Sequence, residues 1–216
     1  MINTIKQARL ITGGDISNKN SKMLGSSFGL STDYCKTGKA LSKIAGSVCH
    51  QCYAKRGTGT YSNVKQGRLN NTLHVIDHVN NKEGREQWIN AMVYLINKRS
   101  NGYMRFHDSG DLQSLAHFKA ILEIARRLPA IRFWLPSKEK RIIEAYKGSL
   151  PPNIVVRLSS AMIDSKPPKT RYNTSSVHKL NNAIGFACPA PDQGNQCGTC
   201  SACYNSTIEN VSYHKH

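Results

Sequence analysis

Seven cysteines carry the strongest chemical signal in this chain of 216 residues. They fall in two groups. Cys35, Cys49 and Cys52 are spaced C-x13-C-x2-C, and Cys188, Cys197, Cys200 and Cys203 are spaced C-x8-C-x2-C-x2-C. Residues 53–187, between the groups, contain no cysteine. The count is odd, so disulfides could not pair every thiol. The segment MINTIKQARLITGGD lacks the apolar stretch of a signal peptide. Thiols of a chain without an export signal stay reduced, and clustered reduced thiols point to metal. A C-x2-C pair can turn both sulfurs toward one site, and a third cysteine three positions on wraps the backbone around a cluster corner, as in iron–sulfur ferredoxins. Structural zinc sites come instead as two C-x2-C pairs separated by a longer loop, and Cys188 stands alone. The second group therefore reads as an iron–sulfur site, with zinc as the alternative. The first group has three thiols. A 4Fe–4S cubane held by three thiolates leaves one iron open to a substrate or cofactor, much as catalytic zinc keeps an open position. Asp33, His50 or Tyr53 could instead supply a fourth ligand, although His50 reads better as an exposed loop histidine. One larger cluster bridging both groups is a further alternative to two separate ones.

The remaining chemistry-bearing residues stand where strands are expected to end. YMRFH at 103–107 reads as a strand and runs into Asp108-Ser109-Gly110-Asp111. IRFWL at 131–135 leads to Pro136-Ser137-Lys138, and NIVVRLSS at 153–160 contains Arg157 and Ser159-Ser160. A short strand is expected within 22–31, just before Cys35, and another at 184–188, ending on Cys188. His107 and Asp108 are candidate acid–base or substrate-binding groups, against a hydrogen-bonded core histidine for the former. Arginine in a buried strand is costly unless paired, so Arg157 is expected to bind a ligand carboxylate or a cluster. Ser109, Asp111 and Ser137 each precede a helical segment and double as N-cap candidates. Lys138 lies beside Lys140 and Arg141 and reads as part of a solvated basic face. Phe133 and Trp134 alternate on one strand and are expected to pack on opposite faces.

The elements that must position these groups alternate. Helices are expected over 62–79, over 84–98 with Ile89, Met92, Val93 and Ile96 on one face, and over 112–127 with Phe118, Ile121, Leu122 and Ala125 on one face. A short helix follows Pro136. Residues 1–21 give no clear reading, and 161–182, polar and interrupted by Pro167-Pro168, reads as an irregular excursion. Strands alternating with helices predict a parallel sheet covered by helices. The strands number about five to six, too few for a closed eight-stranded barrel. The expected fold is thus α/β, a partial (open) β/α barrel over residues 1–187. A cysteine-rich cluster-binding segment, 188–216, would pack on the same domain. In such sheets functional groups gather at the carboxyl ends of the strands, which would bring both cysteine groups to one face.

Composition limits the function classes. Hydrophobic residues make up 39% and charged residues 20%, so a folded core is expected rather than disorder. No stretch approaches the length of a membrane span. The formal charge is +17, and occupied clusters would leave it strongly basic. Basic proteins associate with nucleic acid through phosphates, but these positive residues are scattered, without an arginine-rich run or a known binding motif. A polyanionic substrate reads as weaker still.

A three-cysteine loop after the first strand of a partial barrel resembles the radical S-adenosylmethionine superfamily. The usual motif there is C-x3-C-x2-C, and this chain departs in its first spacing. The resemblance implies that Cys35, Cys49 and Cys52 hold a cubane whose open iron chelates the methionine part of S-adenosylmethionine. It implies that Ser109-Gly110-Asp111 stands for the motif that binds the methionine amino group. Ser137, Arg157 and Ser159, at or near the expected strand ends, are further cofactor-binding candidates. It also implies an auxiliary cluster on the last four cysteines. More closely, CHQCYA, RFHDSGDL, FWLPSKE and CPAPDQGNQCGTCSAC together resemble a phage-encoded family, gene product eighty-eight, across roughly residues 22–205. That resemblance implies a phage or prophage origin and the cytoplasm of a bacterial host, and supplies no substrate. Three functions are therefore expected in turn. The first is a radical-type iron–sulfur enzyme with an electron donor and an unidentified substrate. The second is an iron–sulfur protein for electron transfer or redox sensing. The third is a zinc-stabilised nucleic-acid-binding module.

Overall fold

The computed structural model describes residues 2–18, 22–179 and 182–215. Every strand expected from the sequence is present: β1 (Ser26–Phe28), β2 (Tyr103–Phe106), β3 (Arg132–Ser137), β4 (Ile154–Ser159) and β6 (Phe186–Ala187). Two more join them, β5 (Asn173–His178) and β7 (Asn210–His214). All seven pair in parallel in the order β1-β2-β3-β4-β5-β7-β6. The sheet is open, with β1 and β6 at its edges. β7 lies between β5 and β6, so the cysteine-rich segment 188–216 does more than pack on the sheet: it supplies one of its inner strands.

The helices follow their periodicity. They are α1 (Ile5–Thr12), α2 (Lys36–Leu41), α3 (Ser62–Val79), α4 (Lys82–Arg99), α5 (Leu115–Arg127) and α6 (Lys140–Ala145). The expected apolar face of α5 is fully buried, and α4 buries Trp88, Ile89, Met92, Leu95 and Ile96. The cap of α5 is neither Ser109 nor Asp111. It is Ser114, whose Oγ accepts from His117 N at 3.1 Å. The unread N-terminal stretch holds α1, started by a reciprocal capping box between Thr4 and Gln7. No helix among the described residues is long and apolar enough to cross a membrane.

The core lies between these helices and one face of β1–β4. Phe28, Met104, Phe106, Phe133, Leu135, Ile154, Val156 and Leu158 point into it. Side chains alternate along a strand, so Arg105, Trp134, Arg157 and Ser159 face the opposite side. Phe133 and Trp134 divide between the two faces as expected. No residue of β5, β6 or β7 belongs to that core. Polar side chains join these strands instead: Ser159 to Ser175 at 3.0 Å, Thr174 to Asn210 at 2.9 Å, and Ser176 to Ser212 at 3.1 Å. This is why 161–182 reads as irregular although it contains β5.

Candidate metal centre and cavity

A cavity of about 1000 Å³ opens on the face of the sheet away from the core, at the carboxyl ends of its strands. Cys35, Cys49 and Cys52 line it together with His107, Asp108, Ser109, Gly110, Asp111, Ser137 and Ser159. Arg157 and the last four cysteines lie outside it.

The first thiol group is positioned from two directions. Cys35 precedes α2, and Glu139, buried after β3, accepts from both Thr37 N and Thr37 Oγ1 at 2.8 Å. The loop before Cys49 is pinned by Val48 N donating to Ala161 O at 2.9 Å. Between these anchors, α2 carries Gly38. A Cβ there would stand 3.8 Å from Cys35 Sγ and 3.5 Å from Cys49 Sγ. The missing side chain therefore leaves a cradle under two sulfurs. Burial, Asp111 and the neighbouring thiols push the Cys35 thiol up to about 12. Burial also raises Cys49, with Lys138 drawing it back down. Only the thiolate ligates a metal, so a metal bound here would have to displace these protons. Among the described residues no three His, Cys, Asp or Glu side chains form a grip for a single metal ion.

The candidate alternatives to a fourth thiol are engaged elsewhere. His50 Nδ1 contacts Ser42 O at 3.0 Å and the residue is exposed. Asp33 pairs with Lys55 at 3.6 Å. Tyr53 Oη donates to Asp108 O and receives Arg105 Nη2 at 3.0 Å.

Asp111 sits beneath the thiols and is 7% exposed. Its carboxylate accepts from Ser137 Oγ at 2.5 Å, Lys138 N at 2.9 Å and Leu112 N at 2.8 Å. Burial outweighs these bonds and pushes its pKa up to about 6. Ser109 and Gly110 are spent on structure. Ser109 Oγ donates to Leu30 O at 2.8 Å, and Leu30 N donates back to Ser109 O at 2.8 Å. Gly110 has φ of +76°, and a Cβ there would meet Leu30 at 2.5 Å. Both residues lock the end of β1 to the end of β2.

His107 also differs from its expected surroundings. It is a buried histidine, but neither ring nitrogen finds a hydrogen-bond partner among the described residues. Its backbone is left-handed at φ +60°, a strained conformation for a non-glycine residue. The ring turns to His117 on α5, 5.4 Å away. Burial, with His117 and Arg105 nearby, holds its pKa well below the usual histidine range. Asp108 faces Arg68 at 3.7 Å, and its Oδ1 is buried without a partner.

The second thiol group forms a separate gathering. Cys188, Cys197, Cys200 and Cys203 interact electrostatically with one another. Their loop is held by Cys188 N to Ser212 O and Cys197 N to Lys22 O, both at 2.8 Å. Burial raises Cys203 to about 11, and its sulfur contacts Tyr213 Oη at 3.2 Å. Arg157 is fully buried beneath this loop. It donates to the carbonyls of Ala202, Cys203, Asn205, Thr174 and Ile208 at 2.8–3.2 Å, with Glu209 O at 3.4 Å. No donor remains for a ligand carboxylate. Arg157 therefore serves the cysteine loop rather than the cavity.

Between the two groups lies a residue that the sequence reading passed over. The Arg105 guanidinium sits 4.3 Å over Trp134, bonds Tyr53 beside Cys52, and feels Cys203 on its other side. The signal was available: Arg105 is an arginine inside an apolar strand, as Arg157 is. Glu139 and Gly38 carry no sequence signal of their own, because each acts through a partner distant in sequence.

Residues 2–205 match the family model described as gene product 88, extending the expected resemblance into α1. No curated protein and no solved structure matches the chain. The match covers nearly the whole sequence, and the chain belongs to the gene product 88 family.

Proposed function

We propose that this chain is an iron–sulfur enzyme that binds two clusters, one on Cys35, Cys49 and Cys52 at the cavity wall, the other on Cys188, Cys197, Cys200 and Cys203. The observation that carries this reading is the asymmetry of the two thiol groups: three sulfurs face a cavity of about 1000 Å³, and four lie outside it. When bound, the first cluster supplies an iron open to a ligand in the cavity, and the second supplies a reservoir for one electron.

The chain's own residues support this division. Gly38 leaves room under two sulfurs. Asp111, buried beside them, offers an acceptor for an amine such as that of S-adenosylmethionine, although Ser109 is already committed to Leu30. Trp134 packs against Tyr204 and Tyr213 and carries Arg105 over its ring, an aromatic layer between the cavity thiols and Cys203, whose sulfur contacts Tyr213 Oη. The same layer argues for two clusters over one bridging both groups. Reduced thiols of this kind suit the bacterial cytoplasm.

The test is anaerobic purification with iron and sulfide measured per chain, and an electron paramagnetic resonance spectrum of the reduced protein with and without S-adenosylmethionine. About eight irons are expected for two cubanes. Alanine at Cys35, Cys49 and Cys52 should remove half of them and abolish any spectral response to S-adenosylmethionine. Alanine at the other four cysteines should remove the other half and leave the response intact. Iron with no spectral change would leave an electron carrier or redox sensor. Zinc without iron would overturn the reading.

A further inference from the structure

The positive residues that look scattered along the sequence converge in space. Arg56, Arg68, Arg105, Lys138, Lys179 and Lys215 all line the cavity, against Asp108 and Asp111 as its acids. Asp108 Oδ2 faces Arg68 at 3.7 Å while its Oδ1 has no partner among the described residues, and Asp111 accepts from Ser137 and two backbone amides; the cations outnumber these two acids. Among the described residues, no side-chain ion pair engages Arg56, Lys138, Lys179 or Lys215; Asp164 Oδ1 accepts from the backbone N of Lys179 at 2.8 Å, which leaves the ammonium group itself unbridged.

The arrangement has a focus. Lys215 N donates to His178 O at 2.8 Å, so Lys179 and Lys215 are neighbours at the carboxyl ends of β5 and β7. Ser159 and Ser160 at the end of β4, and Ser175 and Ser176 of β5, add a wall of hydroxyls to the same cavity. Ser160 is 3% exposed, lines the cavity, and its Oγ has no partner among the described residues. A buried hydroxyl left unpaired costs free energy until something bonds it. Ser159 and Ser175 bond each other and Ser176 bonds Ser212, which leaves Ser160 as the free hydroxyl of this wall. Ammonium groups and an unpaired hydroxyl on one cavity wall suit a phosphate, whose oxygens accept from both. Walls of low dielectric focus such a positive field and draw in anions.

We propose that this cavity binds a phosphorylated small molecule, with its phosphate group held by Lys179 and Lys215 and reaching toward Ser160. The volume suits one compact ligand rather than a nucleic-acid duplex. That this molecule is the enzyme's substrate rests on the iron–sulfur reading above; that it binds does not.

The test uses the anaerobically purified full chain, titrated calorimetrically with inorganic pyrophosphate and, separately, with a single-stranded oligonucleotide of about twelve nucleotides. Saturable one-to-one binding of pyrophosphate is expected. Its affinity should fall about tenfold or more in Lys179→Gln/Lys215→Gln, as the loss of two charge-assisted contacts implies. A control, Lys119→Gln/Lys147→Gln, removes the same charge from the helical side and should leave affinity unchanged. Absence of saturation in the unaltered chain, or equal weakening by the control pair, would overturn the proposal. So would tight binding of the oligonucleotide without binding of pyrophosphate. Iron measured on the same samples separates the two readings. Lysine-dependent pyrophosphate binding in a chain without iron keeps the cavity site and removes the cluster. Iron without pyrophosphate binding does the reverse.

Discussion

Glu139 and Thr37, 102 residues apart, are joined by two hydrogen bonds of 2.8 Å, one to each carboxylate oxygen. The pair ties the first turn after Cys35 to the end of β3. It also places a negative charge near Cys35 and Asp111, and Glu139 raises the pKa of both. Bonds to a charged acceptor contribute about 1.5–3 kcal/mol each, and relief of that repulsion offsets part of their loss. Glu139→Ala should therefore destabilise the chain by about 2 kcal/mol and lower iron at the first cysteine group. Glu139→Gln keeps an acceptor for Thr37 N and removes the charge, so it should stay near the unaltered stability. Urea unfolding, with iron content measured on the same samples, checks both. Equal losses in the two variants would show that the charge, not the geometry, is what matters.

Gly38 offers a variant in which folding and metal loading move apart. Alanine is favoured over glycine inside a helix by about 1 kcal/mol. Here the added methyl would stand 3.1 Å from Cys35 Cβ and 3.5 Å from Cys49 Sγ. Gly38→Ala should fold with little change in thermal midpoint, yet purify with less iron, and Gly38→Leu should lose the first cluster entirely. Full iron content in Gly38→Leu would mean that the cluster does not lie over α2.

The grouping of the cysteines, the helices on the core side and five of the strands were legible because each has a local signature: C-x2-C spacing, a 3.6-residue apolar period, or an apolar run ending on polar residues. β5 and β7 were not. Their strand-to-strand cohesion comes from hydroxyl and amide pairs such as Ser176–Ser212 and Thr174–Asn210, which look like loop composition in a linear reading. Ser109 and Gly110 have a structural role that the sequence did not announce. The family resemblance names them as cofactor-binding, and the close approach of Leu30 adds a packing reason for both that is invisible in a linear reading. The cationic cavity was hidden for a third reason. Lys138, Lys179 and Lys215 are far apart in the chain, and only the order β3-β4-β5-β7 brings them to one rim.

The His107–His117 pair predicts acid sensitivity. Burial lowers His117 to about 3 and holds His107 well below its usual range. The unfolded chain takes up a proton near pH 6.5 that the folded chain refuses, so the stability these neutral rings contribute is present above 6.5. It is lost as pH falls from 6.5 toward the folded values. The slope approaches about 1.4 kcal/mol per pH unit for each histidine. His117→Asn keeps an acceptor for Gln113 N, which now donates to the His117 ring at 3.3 Å. It should be less stable at pH 7 through lost packing, but lose stability more slowly between pH 6.5 and 4.5. Urea midpoints of the two proteins across that range give the slopes. Parallel slopes would show that His117 titrates freely in the folded chain.

Arg105 predicts a shared electrostatic effect on both cysteine groups. Its guanidinium bonds Tyr53, next to Cys52, and lies near Cys197 and Cys203. A fixed positive charge stabilises the reduced, more negative form of a cluster and raises its potential. At an effective dielectric of about 20, a unit charge some 7 Å away is worth roughly 2 kcal/mol, about 100 mV for one electron. Arg105→Leu should therefore lower the midpoint potential of both proposed clusters by about 50–100 mV. Arg105→Lys, which keeps the charge but not the stacking on Trp134, should recover most of the shift. A structural role alone would disturb both variants alike, since neither keeps the planar guanidinium over the ring. Redox titration monitored by electron paramagnetic resonance resolves the cases. A shift confined to one signal would place Arg105 beside a single cluster, and no shift in either would remove it from the electrostatic layer between them.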